Sequence, residues 1–65
     1  MIEGSSVTAA ERITEEGYRG QELFVHAELG DRGVVVDDVG AGWQVVRWSR
    51  NDSIAQCHDD EITSA

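Results

Sequence analysis

The sequence contains no lysine, no proline and a single cysteine, and each scarcity narrows what the protein can be. Cys57 alone cannot form an internal disulfide, which excludes a scaffold stapled by disulfides. No apolar run approaches the roughly 20 residues that a membrane-spanning helix needs. Residues 1–16 lack the basic start and apolar centre of a signal peptide, so we expect a cytoplasmic protein with no membrane partner.

The charge of the chain is strongly one-sided. Thirteen acidic residues against five arginines give a formal net charge of −8. A field of this sign repels phosphate backbones, so nucleic-acid binding is disfavoured. The charge favours a protein partner with a basic surface, or it serves solubility as a solvated acidic surface.

The N-terminal segment, residues 1–19, differs in composition from the rest of the chain. It has few sizeable apolar groups, and such a run cannot bury enough surface to offset the entropy of ordering it. Thr8 followed by Glu11 matches a capping box, which would allow two turns of helix over residues 9–16. We therefore expect a flexible or briefly helical segment that is dispensable for folding, and one folded domain over residues 20–65.

Beyond Gly20 the apolar residues alternate with a period of two between glycine-marked turns, which predicts an all-β domain of about five short antiparallel strands. Turns are expected at residues 29–33, 40–42 and 49–52. The predicted elements are strands over Glu22–Ala27, 33–39, Trp43–Trp48 and Ser53–His58, a 3₁₀ turn over Asp59–Glu61 and a last strand beginning at Ile62.

Residues 29–62 carry a Gly-Asp-x-Gly step at 30–33, a Trp-x-Val-Val-Arg-Trp strand at 43–48 and an Asp-Asp-Glu-Ile ending at 59–62. This order resembles the small SH3-like barrels of bacteria, the broad group that includes KOW and Tudor-like modules. The resemblance implies a turn into the longest strand at Gly30 to Gly33 and a barrel plugged by Ile62. A narrower similarity is to the nitrogen-fixation accessory family NifZ, whose members carry a glycine-rich step into a short SH3-like hairpin.

The strand Trp43–Trp48 has a tryptophan and a valine on each of its two faces. By analogy with SH3-like strands, Val46 and Trp48 are expected to point inward. Trp43, Val45 and Arg47 would then form a partly exposed patch, and tryptophan and arginine are enriched at interface hot spots. Trp43 either belongs to this partner-binding surface or covers the open end of the barrel.

The remaining chemistry-bearing residues give weaker patterns. The run Cys57 to Glu61 contains several metal-ligand types, but neighbours on a strand point to opposite faces, so no metal site is expected. Cys57 beside His58 suggests a thiol nucleophile, although no third group orients the base. A Tudor-like cage binds a methylated cation between aromatic rings with acids nearby. The chain has four aromatic residues that could form one: Tyr18, Phe24, Trp43 and Trp48.

These patterns favour a non-catalytic protein–protein interaction module that serves a larger complex as an accessory or regulatory factor, in nitrogen fixation if the NifZ similarity holds. No catalytic residue, cofactor or metal is expected. A homodimer is predicted, because the chain is short and apolar on both faces of one strand. The alternatives are a small enzyme or enzyme subunit that uses Cys57, and a Tudor-like cation-binding module.

Overall fold

A computed structural model describes residues 3–65, and within them all regular structure is strand or short 3₁₀ turn. The 3₁₀ turns cover Tyr18–Gly20 and Asp59–Glu61. The seven strands, β1 to β7 in chain order, are Ser6–Ala9, Ile13–Glu16, Glu22–Ala27, Arg32–Gly40, Trp43–Trp48, Ser53–His58 and Ile62–Ser64. The predicted all-β class with antiparallel pairing is therefore confirmed.

The strands form two antiparallel sheets. One has five strands in the order β6-β5-β4-β1-β7, and the other is the β2–β3 hairpin. Within residues 3–65 no strand pairing joins the two sheets. The hairpin is fastened to the larger sheet by side chains instead, since Asn51 Nδ2 donates to the Val25 carbonyl at 2.9 Å and His26 Nδ1 lies 2.9 Å from Ser53 Oγ.

The strand prediction beyond Gly20 is confirmed almost residue for residue. Strands β3, β5 and β6 and the second 3₁₀ turn have the predicted bounds, and β4 extends the predicted 33–39 to Arg32–Gly40. The glycines at 30, 40 and 42 all have positive φ, which a residue with a side chain adopts only at a cost. Local alternation and turn chemistry therefore suffice to place these elements.

The helix predicted over residues 9–16 is wrong. Strand β1 pairs with both β4 and β7, and β2 pairs with β3. Thr8 Oγ1 lies 2.7 Å from Thr63 Oγ1 on β7, which takes the place of the predicted helix cap. A two-turn helix is marginal because its nucleation is costly, whereas β1 gains a ladder on each of its two edges.

The segment expected to be flexible thus supplies strands to both sheets, and its side chains reach the core. Val7, Ala9 and Ile13 are buried there. Residues 1 and 2 of the predicted segment lie outside the described residues. Whether residues 20–65 fold without this segment is a separate prediction, which a deletion can test.

The core forms between the inner faces of the sheets. Trp48 is the largest fully buried side chain, and Gln44 and Val46 are buried on the same face of β5, as predicted for Val46 and Trp48. Gly33 makes room for this face: a Cβ there would lie 2.7 Å from Val46 Cγ1 and 2.8 Å from Trp48 Cε3. The buried apolar residues are Val7, Ala9, Ile13, Ala27, Val35, Val46, Trp48, Cys57 and Ile62.

Candidate functional site

The outward-pointing side chains of β5 lie together on one face of the five-stranded sheet. Trp43 is 38% exposed, Val45 is half-buried and Arg47 is exposed. This is the arrangement that alternation predicted for the three residues. This face is therefore accessible on β5, the strand next to the edge strand β6.

Two apolar residues on the neighbouring strands enlarge this surface. Val34 on β4 and Ile54 on β6 both pair with Arg47, one on each side, and they are 41% and 54% exposed. Side chains of directly paired residues project from the same face of a sheet. We call the set Val34, Trp43, Val45, Arg47 and Ile54 the outer face.

Sequence reasoning missed Val34 and Ile54. The β5–β6 register follows from the four-residue turn at 49–52, which places Ser53 opposite Trp48 and so Ile54 opposite Arg47. That signal was available in the sequence. The β4–β5 register contains two irregularities, between Val35 and Asp37 and between Asp38 and Gly40, and no local pattern predicts such bulges.

Trp43 is held in place by the second 3₁₀ turn. Its ring packs edge-on against the His58 ring, with centroids 5.0 Å apart and an angle of 77° between the planes. The backbone N–H of His58 donates to Glu61 Oε1 at 2.9 Å, and the His58 side chain accepts a hydrogen bond from the N–H of Asp60. One side of Trp43 is therefore fixed by this capping box while part of the indole stays exposed.

Arg47 is only loosely engaged by the chain itself. Its Nε lies 3.8 Å from Asp52 Oδ1, and both side chains are more than half exposed. Ion pairs of this kind contribute little to stability in water. The guanidinium is therefore available to a carboxylate on a partner at small cost to the fold.

A stronger ion pair fixes the turns at one end of the outer face. Arg50 donates to both carboxylate oxygens of Asp31, and the N–H of Glu28 donates to Asp31 Oδ2 at 2.8 Å. The hydrogen bonds from Arg50 and from Glu28 lower the pKa of Asp31 below its ordinary value. This pair ties the turn before β4 to the turn between β5 and β6.

Cys57 is poorly suited to act as a nucleophile. Its side chain is fully buried, and burial, together with the nearby charge of Glu61, raises the pKa of the thiol from 9.0 to about 11. The reactive thiolate is therefore about a hundredfold scarcer at neutral pH than for an ordinary cysteine. His58 follows it on the opposite face of β6, half-buried against Trp43.

The aromatic residues do not converge as a cage requires. Trp48 is fully buried, and Phe24 packs against His26 with ring centroids 4.8 Å apart. Tyr18 lies in the β2–β3 connection with the Arg19 guanidinium 5.3 Å from its ring centre. Residues 3–65 also contain no group of three or more His, Cys, Asp or Glu placed to hold a metal ion.

Comparisons with protein-family models, curated proteins and solved structures gave no match for this chain. Across the part of the chain that the structure describes, no helix is long and apolar enough to cross a membrane.

Proposed function

We propose that the protein is a non-catalytic interaction module that docks another protein on its outer face. The observation that carries this proposal is the continuous exposed surface of Trp43, Val45 and Arg47, extended across β4 and β6 by Val34 and Ile54. A few hot-spot residues supply most of the binding energy in protein interfaces, and tryptophan and arginine are among the types enriched there. The rigid sheet beneath them lowers the entropy cost of association.

We further infer that the fold is a small SH3-like barrel. The strand order β6-β5-β4-β1-β7 supports this, because three consecutive strands form a meander and the first and last strands lie side by side. The 3₁₀ turn directly before β7 and the burial of Ile62 fit the same interpretation. By analogy with such barrels we propose an accessory role, and the NifZ resemblance nominates nitrogen-fixation complexes as the partners to test.

A second copy of the chain is the simplest partner for the outer face. Burying Trp43 and Val45 against a twofold-related copy removes apolar surface from water on both subunits. The net charge of −8 opposes this association. At physiological salt, however, exposed charges more than about 8 Å apart are largely screened, so the apolar term dominates.

Light scattering and sedimentation equilibrium test the dimer directly. We expect the wild-type chain to dimerise at micromolar concentration and Trp43→Asp to be monomeric there, because the substitution removes the largest apolar side chain of the outer face and puts a charge in its place. Tyr18→Asp is the matched control, since it introduces the same charge at an exposed aromatic residue away from the outer face.

Either of two results would contradict this model. A wild-type monomer at high concentration and moderate salt would exclude the homodimer. Equal weakening by Tyr18→Asp and Trp43→Asp would show that added charge alone, and not the outer face, controls association.

A further inference from the structure

Among residues 3–65, strand β6 has no strand partner on one of its edges, since it is the terminal strand of the five-stranded sheet. The N–H of Asp59 donates to the Gly42 carbonyl at 2.9 Å, which fixes the phase of the β5–β6 ladder. The hydrogen-bonded positions of β6 alternate from there, so Ser53, Ala55 and Cys57 bond to β5.

The backbone groups of Ile54 and Gln56 consequently point away from β5. His58 confirms this phase, because its outward N–H is the group that donates to Glu61 Oε1. Ile54 and Gln56 have no such partner: within residues 3–65 no hydrogen bond reaches their outward N–H and carbonyl groups. An edge of this kind is a template for another strand.

A cleft of about 250 Å³ lies along this edge, between β6 and the β2–β3 hairpin. Ile13, Ile54 and Ala55 give it apolar walls, and the carboxylates of Glu15 and Glu61 also line it. The volume is below the roughly 300–1,000 Å³ of small-molecule sites, so it suits single side chains better than a cofactor. No arginine is among the residues that line it.

We propose that the β6 edge binds an extended peptide segment that carries basic residues between apolar ones, adding it as a further strand. Main-chain hydrogen bonds to Ile54 and Gln56 would supply affinity, and the cleft would select the side chains. Glu15 and Glu61 favour a lysine or arginine in the segment by charge complementarity.

A second copy of this chain is a poorer occupant of the same edge. Pairing two β6 edges would bring the Glu15 and Glu61 of both copies into one cleft, and like charges at short range oppose association. The peptide site uses the outward backbone groups of β6 and the cleft, whereas the outer face uses side chains of β4, β5 and β6, and Ile54 is common to both. Gln56→Pro tests the peptide site and Trp43→Asp tests the outer face, because neither substitution falls on Ile54.

The test is an NMR titration of the ¹⁵N-labelled full chain. The probe is an acetylated and amidated peptide, Val-Lys-Val-Lys-Val-Lys-Val, with a glutamate-for-lysine version as the charge control. Two further peptides carry N-methyl groups on alternate residues, one set on the lysines and the other on the valines. Only alternate N–H groups of an added strand face β6, so one methylated peptide should bind and the other should not.

The variant Gln56→Pro removes the outward donor while leaving the ladder to β5, because proline is tolerated at edge positions whose N–H faces solvent. We expect saturable binding that shifts the amides of Ile54 and Gln56 and weakens at least about tenfold in Gln56→Pro. Gln56→Ala is the matched control, because it removes the cleft-lining side chain but keeps the N–H. Gln56→Pro should therefore bind at least about tenfold more weakly than Gln56→Ala. The double variant Glu15→Gln, Glu61→Gln should bind the lysine peptide several-fold more weakly. Its glutamine at position 61 keeps an oxygen that can accept the His58 N–H, so the capping hydrogen bond is retained.

Three outcomes would overturn the proposal. The first is no saturable binding of the lysine peptide at millimolar concentration. The second is equal binding by both methylated peptides, which would mean that side-chain charge alone attracts them. The third is a concentration-dependent dimer that Gln56→Pro abolishes, which would make a second copy the occupant. If Gln56→Pro does not fold, the proposal is decided by the two methylated peptides and by the double variant Glu15→Gln, Glu61→Gln.

Discussion

The five-stranded sheet and the β2–β3 hairpin differ in how they use their apolar residues. Every larger side chain that is fully buried belongs to the sheet, Trp48 and Val46 among them. The hairpin sends Ile13 and Ala27 into the core but leaves Tyr18, Leu23 and Phe24 exposed. The sheet therefore supplies most of the buried core, and the hairpin forms one wall of the cleft.

This difference predicts how much stability variants of the sheet and of the hairpin should lose. The largest effect is expected from deleting residues 1–19, which removes β1 from between β4 and β7 and takes Val7 and Ala9 out of the core. A domain of this size has only a few kcal/mol of stability, so we expect the truncated chain to be unfolded by circular dichroism. A folded chain of residues 20–65 would contradict this and support the boundary predicted from composition.

Replacing Trp48 by alanine should be the most damaging single substitution. Truncating a fully buried aromatic costs about 3–5 kcal/mol, which approaches or exceeds the stability of so small a domain. Leu23→Ala in the hairpin is the comparison, because an exposed site should change the free energy of unfolding by about 0.5 kcal/mol or less. Denaturant titration measures both, and similar losses would remove the distinction between the two regions.

Two glycines offer a matched test of rigidity. A Cβ at Gly33 in the sheet would lie 2.8 Å from the Arg47 carbonyl oxygen and from Trp48, whereas one at Gly17 in the hairpin would lie 2.8 Å from the exposed Leu23 side chain. The Arg47 backbone and the buried Trp48 ring have no room to move aside, so Gly33→Ala should lower the free energy of unfolding by about 1–3 kcal/mol. Leu23 can move, so thermal melts should show a much smaller loss for Gly17→Ala, and the reverse order would contradict the comparison.

The smallest effect concerns Cys57 in alkaline solution. Its folded-state pKa is raised from 9.0 to about 11, so the stability it contributes is complete below 9.0 and is lost as the pH rises towards 11. Between 9.0 and about pH 10 the free energy of unfolding should fall by about 1 kcal/mol from this group. Urea titrations at each pH measure the slope, and Cys57→Ala should lack it.

Alkylation of Cys57 by iodoacetamide provides an independent check. In the native protein at neutral pH the reaction should be slow and should accelerate in denaturant, because burial keeps the thiol protonated and covered. Rapid alkylation of the folded chain would contradict this and revive the alternative of an enzyme that uses Cys57.

Much of the outer face could be predicted from the sequence, but its extent could not. Alternation along β5 separates Trp43, Val45 and Arg47 from the buried Val46 and Trp48, since successive strand residues point to opposite faces. Whether Val34 belongs to the outer face depends on the β4–β5 register, and that register contains bulges. A bulge adds a residue to one strand only, so the partner of a given residue cannot be counted from the turn.

The sequence by itself determined strands β3 to β6, the second 3₁₀ turn and the two faces of β5, because alternation and glycine turns act between near neighbours. Tertiary structure decided the fate of residues 6–16, where a capping-box pattern gave way to strands. Thr8 meets Thr63 across 55 positions of sequence, and no local pattern encodes that pairing. Tertiary structure also decided where the β6 edge is open, since an edge exists only by the absence of a neighbouring strand.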